Sequence, residues 1–76
     1  MKVKVTDMRE FLTRVEECVG DVYLVYPKGG TESLKGNFMR QSELADEWRT
    51  KGQCLTIVLD VEARRDQRRL KRFEVQ

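Results

Sequence analysis

Three features of this 76-residue chain lead to the expectation of an α+β domain. Apolar residues recur at three- and four-residue steps over 8–19, and over 54–61 one alternating set is wholly aliphatic while the other is mixed. A Pro-Lys-Gly-Gly turn separates two short β-prone runs. These patterns belong to a helix, a half-buried strand and a hairpin. The expected architecture is a single two-layer domain over 1–76 in α-β-β-α-β-β order, with two helices packed on a small, mainly antiparallel four-stranded sheet.

The first helix is predicted over about 7–18. Thr6 and Asp7 supply cap oxygens, and Asp7 with Glu10 has capping-box spacing. Met8, Phe11, Leu12, Val15 and Val19 form its apolar stripe, and Gly20 suits the left-handed position past its end. Val22 to Tyr26 is β-branched and aromatic, as in a strand within a sheet. Pro27 to Gly30 makes the turn, and the polar run Thr31 to Lys35, interrupted by Leu34, fits an outer strand.

Gly36 and Asn37 end that hairpin. The second helix begins either at Asn37 or at Ser42, carries Phe38, Met39, Leu44, Ala45 and Trp48, and closes at Lys51 and Gly52. Leu55, Ile57, Leu59 and Val61 form one aliphatic face of the next strand. Residues 62–75 are ambiguous. Helix propensity is high over 62–72, yet Ala63, Leu70, Phe73 and Val75 trace no helical stripe. A strand over 70–75, pairing back on 54–61, is preferred, with helix the alternative.

At this length about 60% of the unfolded chain's surface is buried, so the core is thin. Cys18 and Cys54 are too few for a disulfide framework and read as reduced core thiols. With no histidine, a two-cysteine metal site would need carboxylate ligands, so no metal or cofactor is expected. Lys2 and Lys4 precede too short an apolar run for a signal peptide. No stretch approaches the roughly 20 apolar residues of a membrane span. A cytoplasmic, non-membrane protein is expected. Net charge is +2, but residues 1–60 hold nine Lys/Arg against ten Asp/Glu while 61–76 hold six against three. The positive excess lies in the last sixteen residues.

The run Asp7-Met8, Phe11-Leu12, Val15, Cys18, Gly20, Val22, Leu24 and Pro27 resembles a group of small orphan proteins of Gram-positive gut bacteria. These are common around integrated mobile elements, and many carry the label "polyA polymerase". The likeness covers about 7–27, weakens through Leu55–Leu59, and is lost at the arginine-rich C-terminus. Its positions are mostly apolar or glycine, so it implies fold more than chemistry. The polymerase label does not fit the residues. Nucleotidyl transfer needs carboxylates holding two metal ions, whereas Asp21 and Asp60 each stand without a second carboxylate on the same strand face. Gly29-Gly30 also lacks the following Lys-Ser/Thr of a phosphate loop.

Without histidine, Cys-His and Ser-His pairs cannot form, and the adjacent pairs Asp46-Glu47 and Glu16-Glu17 read as solvated helix surface. No enzyme activity is expected. The sharpest feature is Arg64, Arg65, Arg68, Arg69, Lys71 and Arg72, a candidate contact for nucleic acid or an acidic partner. In a helix, Arg64, Arg68 and Arg72 would form one row. The competing reading is a charged edge strand protected from aggregation. Tyr23 and Tyr26 read as core, and Trp48, between Glu47 and Arg49, as a candidate interface residue. The expected function is a non-catalytic binding or accessory domain acting on an unknown protein partner or on its own copies. Electrostatic nucleic-acid binding through 64–72 is the alternative.

Overall fold

Asp7 lies in extended backbone, and its Oδ1 accepts the N–H of Glu10 at 3.1 Å. This starts α1 (Met8–Glu17) in the computed structural model, which describes residues 1–75. Half of the expected capping box is used, because the Glu10 carboxylate pairs with Arg72 at 2.7 Å instead. Met8, Phe11 and Val15 face the core, and the helix ends where Cys18 becomes extended. Gly20 was expected in the left-handed region, but its φ is not positive. Close approach is its constraint: an added Cβ would stand 3.3 Å from that of Ala63 and 3.4 Å from Asp66 Oδ2.

The hairpin forms as expected but with shorter strands: β2 (Val22–Val25) and β3 (Thr31–Ser33) are joined through Gly29 and Gly30, both at positive φ. Of the two starts considered for α2 (Phe38–Thr50), Asn37 is used: its Oδ1 accepts the N–H of Arg40 at 3.1 Å. At the other end Gly52 is left-handed. The N–H of Gln53 bonds Trp48 O, and that of Gly52 bonds Arg49 O. This is the paired-bond stop that satisfies a helix's last carbonyls.

The fold class is α+β with an antiparallel four-stranded sheet, in which β1 (Lys2–Val5) and β4 (Leu55–Val61) join the hairpin in the order β1-β4-β2-β3. The fourth strand is not the expected one. It is β1, which pairs with β4 and buries Val3 and Val5 completely. The preferred C-terminal strand is instead α3 (Arg64–Leu70) followed by a 3₁₀ turn (Lys71–Phe73). The order over the described residues is therefore β-α-β-β-α-β-α. The physical reason is that the inward stripe of α3 begins with a carboxylate: Asp66, Leu70 and Phe73 are buried at helical spacing. Among the described residues, a single bridge, Glu74 opposite Val3, and the Val75 N–H on Lys2 O are all that returns to the sheet.

The helices cover one face of the sheet. Val3, Val5, Val22, Leu24, Leu59 and Val61 meet Phe11, Val15, Leu44, Leu70 and Phe73 there in one core cluster. Phe11 and Phe73 pack edge to face at 5.3 Å. Lys2, Lys4, Thr56, Val58 and Asp60 occupy the other face, which is open. Among the described residues no helix is long and apolar enough to cross a membrane.

Candidate interaction surfaces

Helix formation over 64–70 divides the six candidate cations into two groups. Arg64, Arg68 and Lys71 line one shallow depression with Gln67, Glu74 and Met1, and Arg65 is exposed on the same helix. None of these four cations forms an ion pair among the described residues. Arg69 and Arg72 turn toward α1. Arg69 Nη1 lies 3.8 Å from Glu17, while Arg72 Nη1 lies 2.7 Å from Glu10 with its guanidinium over the Phe73 ring. The row is thus Arg64, Arg68 and Lys71, with Lys71 where Arg72 was expected. The tighter 3₁₀ winding, about three residues per turn, turns Arg72 out of the row.

Asp66 anchors this helix. Its carboxylate is buried and accepts the N–H of Val19 at 3.0 Å and of Gly20 at 2.8 Å. Burial alone would raise its pKa. The Gly20 and Val19 N–H groups, with the charges of Arg69 and Lys35, outweigh that and hold the carboxyl below its ordinary range.

Trp48 is half-buried, and its Nε1–H donates to Val5 O at 3.1 Å, so the indole fastens α2 to the end of β1. Tyr23 is half-buried and faces Asp60 across the ladder, with its hydroxyl on Asp21 at 3.2 Å. Asp21 and Asp60 thus flank Tyr23. Among the described residues no group of three or more potential ligands could hold a metal ion. Cys18 is buried and Cys54 half-buried, both unpaired. Burial pushes the Cys18 thiol up to about 11, which leaves it protonated and unreactive at neutral pH.

Two surfaces were not anticipated. Phe38 and Met39, read as part of the α2 stripe, lie outside it at 69% and 79% exposure, because the Asn37 cap turns the first helical residues to solvent. The second is a cleft of about 310 Å³ between the end of β2, α2 and the first half of β4. Leu24, Leu44, Leu55 and Ile57 line it, with Tyr26 and Pro27 at one side. It exists because β4 pairs with β1 over 55–58 but with β2 over 58–61, so residues 55–57 run past the end of β2.

The rim of this cleft is polar and fixed in place. Arg40 is buried; its Nε donates to the Tyr26 hydroxyl at 2.9 Å and lies 3.1 Å from Glu32, and its Nη2 lies 3.6 Å from Glu47. The Tyr26 hydroxyl donates to Glu32 at 2.6 Å, and this bond is the main cause of its raised pKa. In the sequence Pro27 was the available signal, since a proline ends a ladder by lacking an N–H.

The chain matches no family model, no curated protein and no solved structure.

Proposed function

We propose that this chain is a non-catalytic interaction domain that holds a protein partner in the cleft between β2, α2 and β4. The observation that carries this reading is an aliphatic hollow on a small domain, walled by Leu24, Leu44, Leu55 and Ile57 and ringed by Arg40 and Glu47. Apolar concavities with a few placed polar groups are the usual form of a binding site. The absence of histidine from the sequence and the raised Cys18 thiol favour binding over catalysis. Two unpaired thiols fit the reducing cytoplasm. The likeness of residues 7–27 to small mobile-element proteins fits an accessory role.

A photo-crosslinking amino acid at position 58, where valine is 42% exposed and borders the cleft from the open sheet face, tests the reading in cells. Discrete protein adducts from position 58, absent from position 13 on α1, are expected. An adduct of twice the chain's mass would identify the partner as a second copy. Equal adduct patterns from 58 and 13 would remove the cleft as the site.

A second reading is favoured by the convergence of Arg64, Arg68 and Lys71 on one depression. Three aligned cations, with Arg65 beside them, suit a run of phosphates on nucleic acid. Titration with duplex and single-stranded DNA and RNA at low salt tests it. Unmoved amide signals over 64–71 would end it.

A further inference from the structure

We infer that the cleft binds its partner by strand addition: an extended segment of a second protein pairs with β4 at Thr56 and places two apolar side chains in the hollow. This rests on the interaction reading above and specifies its chemistry.

The direction of the backbone groups carries the inference. The Met1 amino group donates to Leu59 O, and the Leu59 N–H donates to Met1 O, both at 2.7 Å. Leu59 therefore directs both backbone groups at β1. Alternation along a strand then turns those of Thr56, Val58 and Asp60 toward β2. Val58 is opposite Val25 and Asp60 opposite Tyr23, and the Glu62 N–H reaches Asp21 O. The same register brings Pro27 opposite Thr56. Proline has no N–H to give, and the chain turns away there, closed by the Tyr26 N–H on Gly30 O. Thr56 is left with an N–H and a C=O at an open sheet edge, and neither has a strand partner among the described residues.

An open edge above an aliphatic hollow defines its occupant. Residues directly opposite in an antiparallel pair share a face. A residue opposite Thr56 would point to the open side, and its two neighbours, opposite Leu55 and Ile57, would point into the cleft. The segment is therefore apolar–polar–apolar. Around Arg40 stand two carboxylates, Glu32 and Glu47, so the rim carries net negative charge and favours basic flanks. The chain itself uses this solution on the other side of β4. There β1 reads Lys-Val-Lys-Val, with Val5 opposite Leu55, Lys4 opposite Thr56 and Val3 opposite Ile57.

The probe is the peptide acetyl-Lys-Val-Lys-Val-Lys-amide, titrated into the whole protein and followed by amide shifts and hydrogen exchange. Slowed exchange at the Thr56 amide and shifts at Leu24, Leu44 and Ile57 are expected. Thr56→Pro removes the edge N–H, which β1 does not use, and weakens binding by about tenfold. Thr56→Val keeps the N–H and keeps the affinity. Should Thr56→Pro fail to fold, N-methylation of the peptide's central lysine removes the matching donor and brings the same loss. Binding that survives both Thr56→Pro and N-methylation overturns strand addition while leaving the cleft an interaction site. Peptide that leaves the cleft signals unmoved, while position 58 still gives adducts, also overturns it. So does a sedimentation mass of twice the chain that Thr56→Pro returns to that of a single chain, which would make the occupant a second copy.

Discussion

Asp66 and Gly20 stand 46 residues apart in the chain and are joined by a hydrogen bond of 2.8 Å from the Gly20 N–H to the Asp66 carboxylate. The other carboxylate oxygen takes the Val19 N–H. The turn that ends α1 is therefore tied to the helix that closes the chain, through a group buried from solvent. Asp66→Ala would leave two backbone donors without an acceptor, at a cost of about 2–3 kcal/mol. Gly20→Ala would push Ala63 and Asp66 aside and weaken the same contact. Urea denaturation of both single variants and the double variant should give non-additive losses.

The same carboxylate makes stability depend on acid. Its folded pKa is depressed below the ordinary value of 3.8. Its contribution is therefore fully present above that value and is lost as pH falls through the lower, folded one. Wild-type urea midpoints should drop as pH falls below about 4. Asp66→Asn should start from a lower midpoint and fall less steeply, since it has no proton to take up. Parallel slopes for the two proteins would contradict this role.

Asp66 also explains why the end of the fold was misread. A helical stripe is recognised from apolar residues, and here its first inward member is charged, so Leu70 and Phe73 lost their periodic partner. The N-terminal Lys-Val-Lys-Val alternates perfectly, but four residues are too few to distinguish a strand from the approach to α1. Where caps and turns carried the signal, at Asp7, Pro27 to Gly30 and Gly52, sequence and structure agree. The cleft was less legible because it depends on register: Pro27 announces a ladder's end, but only the offset between β1–β4 and β2–β4 pairing leaves Thr56 open.

Trp48 is expected to act on stability rather than on recognition. Trp48→Phe removes the donor to Val5 O and should cost about 1 kcal/mol. Cross-linking from position 58 should be unchanged. A loss of adducts at unchanged stability would return Trp48 to the interface.

The two groups of cations should separate in measurement. Arg72→Ala removes an ion pair with Glu10 and the contact over Phe73, and should lower stability by about 0.5 kcal/mol. Arg64→Glu with Arg68→Glu should leave the urea midpoint nearly unchanged. If the second functional reading holds, log affinity for duplex DNA should fall with log salt at a slope of about −3 for wild type. The double charge reversal should flatten that slope, whereas Arg72→Ala should preserve it.

Thiol chemistry gives the last comparison. Cys18 is buried, its Sγ–H donates to Arg14 O at 3.4 Å, and burial raises its pKa to about 11. Cys54 is half-buried just before β4. At neutral pH a small maleimide should therefore modify Cys54 first. Cys18 should react only as fast as the fold opens, because a protonated, enclosed sulfur is a poor nucleophile. Mass spectrometry of timed quenches, with and without urea, reads both rates. Since α1 and the Asp66 contact adjoin Cys18, Asp66→Ala should speed its labelling by the population of opened molecules that the variant adds. Labelling of Cys18 at the Cys54 rate in native buffer would show that this end of α1 is not closed by Asp66.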